Sequence, residues 1–232
     1  MYISGTSNAE FTASREEIDA GVDSKAARRP APVACRILDI MFALAGLLFV
    51  APLMIVVAIA IKIQDGGPVF FGHSRIGYEG RSFRCWKFRS MVVDAEARLA
   101  ALLARSPEAR REWEADQKLR DDPRVTLLGR ILRVSSIDEL PQLFNVLRGE
   151  MSLVGPRPIV TGEVARYGRR FSQYCSVRPG ITGLWQISGR NDVSYRRRVA
   201  MDTVFANTLS LSLYLKILFA TVPAVLKREG SY

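Results

Sequence analysis

The sequence predicts a membrane-attached domain in which one β-hairpin is set among helices. Three observations carry this. Ile40 to Ile61 contains no charged residue, and as a helix it would be about 33 Å long, close to the hydrocarbon thickness of a bilayer. Pro68 to Met91 reads as two strands, PVFFGHSRIG and SFRCWKFRSM, around a turn at Tyr78, Glu79, Gly80 and Arg81. Beyond it, helical spacing recurs in Val92 to Arg120, Leu140 to Leu147 and Leu209 to Lys227.

Residues 1–27 precede these elements. They are rich in Ser, Ala, Gly and acidic side chains without sustained periodicity, the composition of a disordered tail. No basic start leads into an apolar run, so a secretory signal is a poor reading. The membrane segment, residues 28–63, is read in two ways. A straight crossing is the simpler one. Against it, Pro52 lies in mid-segment, where it removes a helical hydrogen bond and crowds the preceding turn. Basic residues also flank both ends: Lys25, Arg28, Arg29 and Arg36 before, and Lys62, Arg75, Arg81, Arg84, Lys87 and Arg89 after. Basic flanks favour the cytoplasmic side, and a helix that enters, bends at Pro52 and returns satisfies both.

Residues 64–232 form the expected catalytic domain. After the hairpin, Val92 to Arg120 reads as a solvated helical pair, with Asp94 and Arg98 at helical spacing and Ser106-Pro107 starting the second helix. Asp121-Asp122-Pro123 ends it. In SSIDELPQLFNVLRGEMSLVGPRP, Leu140, Leu143, Phe144 and Leu147 predict a helix closed by Gly149. Asp138 and Glu139 would then stand at its N-terminus, with Ser136 and Glu139 spaced as a capping box. The final run, Leu209 to Lys227, places Leu211, Leu215, Leu218, Phe219 and Val222 on one face. Periodicity leaves core and membrane interface open for it.

Composition narrows the chemistry. A formal charge of +10 favours anionic partners, whether nucleic acid, acidic lipid or a phosphorylated substrate. Cys35, Cys85 and Cys175 have no zinc-type spacing, and a reducing cytoplasmic setting fits them. With His73 the only histidine, histidine-based triads and metal sites have almost no material. Carboxylates remain the natural candidates. Adjacent Asp138 and Glu139 can attack phosphorus or hold Mg²⁺, although acidic residues are also common in any first helical turn. Arg157, stiffened between Pro156 and Pro158, presents a guanidinium fork. VRPGITGLWQISGRN, from Val177 to Asn191, taken alone is a turn-rich loop with an aromatic anchor.

Taken together, KFRSM (Lys87 to Met91), DELPQLFNVLRGEMSLVGPRP (Asp138 to Pro158) and RPGITGLWQISGR (Arg178 to Arg190), after a basic-flanked apolar helix, resemble the monotopic polyprenyl-phosphate phosphoglycosyl transferases, the bacterial sugar transferase family. In length the chain is similar to the short members that initiate exopolysaccharide synthesis. The resemblance implies a helix-rich α+β fold, monotopic at the cytoplasmic face of the bacterial inner membrane, anchored by a re-entrant helix broken at Pro52 and carrying C-terminal interfacial helices. It implies Asp138 as nucleophile and Glu139, beside it, as Mg²⁺ ligand, with Lys87, Arg89, Arg157, Arg190, Gln186 and Asp202 on the substrate side. The implied reaction moves hexose-1-phosphate from a UDP-sugar, galactose or glucose favoured, to undecaprenyl phosphate, with release of UMP. Partners are then the donor, the lipid acceptor and membrane lipids, a homodimer being compatible. The chain departs from the pattern at Ala51, where Ser often precedes the proline, at His73, where many relatives have Gln, and at Tyr214, where Asp is common. A non-catalytic scaffold of a polysaccharide assembly complex is the alternative. Nucleic-acid binding rests on charge alone, because the basic residues are interleaved with glycines and carboxylates and form no aromatic-basic platform.

Overall fold

The structure, a computed structural model, describes residues 31–116, 119, 121–188 and 193–226. The expected tail of residues 1–27 and Arg190 lie outside the described residues.

Helix α1 runs without interruption from Val33 to Asp65 with Pro52 inside it. Its most apolar stretch has a mean hydropathy of 2.8, and among the described residues it is the one helix long and apolar enough to cross a membrane. Phe42, Leu44, Leu48, Phe49, Ile55 and Val56 are exposed along it. Such a row of bare aliphatic and aromatic side chains calls for lipid instead of water. Gly66, at φ +69°, terminates the helix, and Lys62 donates to its carbonyl at 2.7 Å. This supplies a partner for a carbonyl beyond the last turn.

The chain divides into two compact units, one formed by residues 1–49, 72–86 and 142–232, the other by 50–71 and 87–141. In the larger unit the first half of α1 buries Cys35, Asp39 and Ala43, one residue per turn. Asp39 is the anchor. It accepts from the Tyr214 hydroxyl at 2.7 Å, the Ser152 hydroxyl at 2.9 Å and the Leu153 N–H at 2.8 Å. Three donors offset the cost of removing its charge from water. Tyr214, one of the departures noted above, is therefore a buried partner of α1.

The expected hairpin forms, β1 (Phe70–Ile76) pairing with β2 (Ser82–Phe88) around a turn at Tyr78–Gly80. The expected helical pair is α2 (Ala95–Arg105) and α3 (Pro107–Asp116). Ser106 caps α3 by accepting from Ala109 N–H at 3.1 Å, and Asp94 pairs with Arg98 at 3.0 Å. Both helices lie in the smaller unit together with α4 (Leu127–Val134).

Three expectations are corrected. The helix over the carboxylate segment is shorter than predicted: α5 spans Gln142–Arg148, while Asp138 and Glu139 sit in a separate 3-10 turn, Ile137–Glu139. Pro141 explains the break, since it has no N–H to give to the carbonyl of Ile137. Ser136 does not form the capping box; it adopts φ +58°, and its side chain makes no cap. Two short strands not foreseen in the sequence, β3 (Ser152–Val154) and β4 (Gly180–Thr182), pair in parallel with Ser152 opposite Gly180. Helices α6 (Val164–Tyr167), α7 (Phe171–Cys175), α8 (Leu184–Ile187) and α9 (Tyr195–Thr208) complete the larger unit together with α10 (Leu211–Leu226). On α10, Tyr214 and Ile217 enter the core with Phe205 and Val177. Of the predicted stripe, Leu215 and Leu218 pack against that core, whereas Leu211, Phe219 and Val222 are exposed.

Candidate active site

The smaller unit brings Lys87, Asp138 and Glu139 together. Lys87, near the end of β2, places Nζ 2.5 Å from Glu139 Oε1 and 3.6 Å from Asp138 Oδ2. The local sequence accounts for this arrangement. Thr126 caps α4 by accepting from Gly129 N–H at 2.9 Å, a contact worth about 1 kcal/mol. Gly129 lies so close to the segment after β2 that a Cβ there would stand 1.9 Å from the Ser90 carbonyl oxygen. The Ser90 hydroxyl accepts from Arg133 Nε at 2.9 Å. KFRS is thereby fixed on α4, and the left-handed Ser136 turns the chain at the end of α4 so that the next two acidic residues meet Lys87. A non-glycine residue in that conformation costs on the order of 1 kcal/mol, strain stored directly before the carboxylates.

Asp138 is 7% exposed. Burial pushes its carboxyl above the ordinary range; Lys87 opposes the rise, Glu139 adds to it, and Arg133 opposes it. Raised basicity makes a carboxylate, when ionised, a better nucleophile than a solvated one, and the lysine alongside favours its charged form. Arg89 does not join this cluster. Its guanidinium is buried against Asp65 at the end of α1, with Nε and Nη1 lacking hydrogen-bond partners.

The larger unit carries the arginine loop. Gly155 N–H donates to Thr182 at 2.8 Å, and Gly180 N–H donates to Pro156 at 2.7 Å. Gly155, Pro156 and Pro158 are buried while Arg157 between the prolines is exposed. Gln186, also predicted, donates to the Ile181 carbonyl at 3.0 Å and leaves its buried Oε1 unpartnered. Arg178 belongs to the scaffold, bonding the Gly149 carbonyl at 2.8 Å and covering the Tyr78 ring.

Asp202 lies in the interior of this unit, 2% exposed, accepting from the Tyr167 hydroxyl at 2.7 Å. Burial pushes its carboxyl up to about 7, against the pull of Tyr167 and Arg198. Its unfolded value is about 3.9, so the folded state holds the proton more tightly between the two. The stability that Asp202 contributes is therefore fully present below about pH 4 and is lost as pH rises through 7, by an amount on the order of 4 kcal/mol. Asp202→Asn retains an acceptor for Tyr167 and is expected to flatten the decline of Tm across that window. An unchanged slope in thermal melts from pH 4 to 7 would assign the decline elsewhere.

Sequence reasoning missed Asp39, Arg75 and Arg133. Asp39 had a signal in its position, a carboxylate at the very edge of an uncharged run.

A family model described as bacterial sugar transferase matches residues 31–228. The chain is 50% identical over 200 residues to the exopolysaccharide production protein ExoY of Rhizobium meliloti, covering 86% of this chain and 88% of that one. It is 46% identical over 222 residues to the undecaprenyl-phosphate galactose phosphotransferase of Salmonella typhimurium, covering 96% of this chain and 46% of that one. It is 40% identical over 205 residues to the UDP-glucose:undecaprenyl-phosphate glucose-1-phosphate transferase of Caulobacter vibrioides, covering 85% of this chain and 71% of that one.

Proposed function

The chain belongs to the bacterial sugar transferase family, and from that premise we propose that it is a phosphoglycosyl transferase that moves hexose-1-phosphate from a UDP-sugar to undecaprenyl phosphate and so initiates exopolysaccharide synthesis. The observation that supports this chemistry best is buried Asp138 beside Lys87 and Glu139.

In the first displacement an Asp138 carboxylate oxygen attacks the phosphorus bearing the sugar. The bond to the bridging oxygen breaks, and UMP leaves with that oxygen and its electron pair. In the second, an oxygen of the lipid phosphate attacks the same phosphorus and Asp138 departs as carboxylate. A carboxylate needs no general base. Lys87 offsets the repulsion between two anions and follows the negative charge as it builds on the phosphoryl oxygens. The donors present suit Mg²⁺: Asp138 and Glu139 are adjacent hard oxygen ligands, and this ion takes one or two carboxylates and completes its shell with water and substrate phosphate. When bound it would neutralise phosphate charge, and Glu139 would exchange its contact with Lys87 for it. Arg157 and Arg190 would supply hydrogen-bond donors for phosphate, and Gln186, whose buried Oε1 has no partner, an acceptor for a sugar hydroxyl.

The decisive assay offers the purified chain a panel of UDP-sugars with undecaprenyl phosphate and reads UMP and lipid product together. UMP and lipid-linked hexose with UDP-galactose or UDP-glucose is the expected outcome, and a homologous scaffold without catalysis would give neither.

The same premise supports a re-entrant α1. Its 33 residues would extend about 50 Å if straight, well beyond the ~30 Å hydrocarbon layer, and its ends are basic. Both termini of the helix are then cytoplasmic. Cysteines introduced at Ser7 and Arg110 should both resist a membrane-impermeant thiol reagent in intact cells. The native Cys35, Cys85 and Cys175 are buried and contribute little background. Labelling at Ser7 alone would establish a straight crossing.

A further inference from the structure

Arg75, near the end of β1, is held by the backbone to the arginine loop of the larger unit. Ile76 N–H donates to the Ile159 carbonyl at 2.9 Å, an isolated antiparallel bridge. The Tyr174 hydroxyl clamps this bridge from one side. It donates to the Ile76 carbonyl at 2.7 Å and accepts from Ile159 N–H at 3.2 Å, within the cluster of Phe171, Tyr167 and Val199. Arg75 itself donates through Nη1 to the Pro158 carbonyl at 3.2 Å. The guanidinium is thereby fixed beside the residue that follows Arg157. Its nearest carboxylate, Glu163, stands 3.9 Å away and is occupied in part by Val160 N–H at 3.0 Å. Burial and then the charge of Arg157 are the two largest influences that pull the Arg75 pKa down. The Arg75 guanidinium is thus held by a main-chain acceptor one residue after Arg157 and feels the positive charge of Arg157, with Glu163, 3.9 Å away, as its ion-pair partner. Repulsion of that kind is relieved by an oxyanion received in the planar forks of both groups.

We infer that Arg75 and Arg157 form a two-guanidinium clamp for a phosphate group of the reaction, with Glu163 as the counter-ion displaced when phosphate arrives. The inference rests on the transferase reading for its substrate. The phosphate belongs either to the soluble nucleotide donor or to the lipid acceptor, and the kinetics separate the two. Steady-state kinetics of the full chain in nanodiscs, with calorimetric binding of UDP and of inorganic pyrophosphate, test it.

Arg75→Gln and Arg75→Lys are expected to raise one KM at least tenfold with kcat changed less than threefold, because lysine keeps the charge and loses the fork. A rise for the UDP-sugar with weakened UDP binding places the donor in the clamp, and a rise for undecaprenyl phosphate alone places the acceptor there. Glu163→Gln keeps an acceptor for Val160 N–H and removes the competing charge, so it should tighten pyrophosphate about threefold, an effect that a purely structural Arg75 would not produce. Unchanged KM values in Arg75→Lys together with unchanged pyrophosphate affinity in Glu163→Gln overturn the clamp, even if Arg75→Gln fails to fold. Were the wild-type chain to release no UMP and yet bind pyrophosphate in an Arg75-dependent way, the transferase reading would fall and the clamp would stand.

Discussion

Asp138→Asn is expected to abolish turnover, by about 10⁴-fold or more, and to abolish covalent labelling by a donor carrying radioactive sugar. The amide is nearly isosteric and keeps the turn at Ile137–Glu139, but it cannot supply the electron pair that displaces UMP, and no histidine stands in the motif to replace it. The wild-type chain should release up to one equivalent of UMP without lipid acceptor, and its kinetics should be ping-pong. Glu139→Gln should leave labelling possible and depress Mg²⁺-dependent turnover. The pH profile adds a second readout. Because burial raises the Asp138 carboxyl, activity should fall with decreasing pH at a midpoint above the ordinary value of about 3.9. Lys87→Ala removes an opposing charge and should move that midpoint upward; Glu139→Gln removes a like charge and should move it downward. Retained labelling in Asp138→Asn, or intersecting kinetic patterns that require a ternary complex, would remove Asp138 from the role of nucleophile.

Gly155→Ala and Gly180→Ala are expected to have large effects on stability. A Cβ on Gly155 would lie 2.3 Å from the Arg178 carbonyl oxygen, and one on Gly180 would lie 2.0 Å from Gly155 N. Both obstacles are main chain, so no side-chain rotation relieves them, and the pairing of β3 with β4 has to open. Overpacking of a core typically costs about 1–3 kcal/mol; with backbone on both sides the upper end is expected, a fall in Tm of roughly 6–12 °C for a chain of this size. Arg157 follows Gly155 by two residues, so the surviving folded protein should also show a raised KM for a phosphorylated substrate. Gly162→Ala is the control, since no atom lies within 4 Å of its added Cβ. A Gly155→Ala variant with the Tm and KM values of the wild type would show that the close approach of the strands is not required.

The elements that local chemistry dictates were legible in the sequence. The uncharged run became α1, the Tyr78–Gly80 turn joined β1 to β2, Ser106 and Pro107 opened α3, and Gly149 closed α5 at φ +79°. Each depends on residues within a few positions of one another, where spacing and backbone preference act without the rest of the chain. The reading of Ser136 as a cap failed because Pro141, five residues on, prevents one continuous helix; that signal was in the sequence and was outweighed by the S-x-x-E spacing. Asp138, Glu139, Lys87 and Arg157 were singled out in the sequence by residue type and by the resemblance, and the structure brings the first three together.

What only the tertiary structure decided is which distant groups meet. Lys87 and Glu139 are 52 residues apart, and Asp39 and Tyr214 are 175 apart. No periodicity encodes such pairings, which arise when packed elements close long loops around them. The same holds for burial. The resemblance set Arg157, Arg89 and Asp202 alike on the substrate side; packing leaves Arg157 exposed and places Arg89 against Asp65 and Asp202 under Tyr167. On α10 the helical period was read from sequence, but the side that meets the core was set by where Asp39, Val177 and Phe205 stand. A helix carries apolar residues around much of its circumference, and only its neighbours determine which of them leave water.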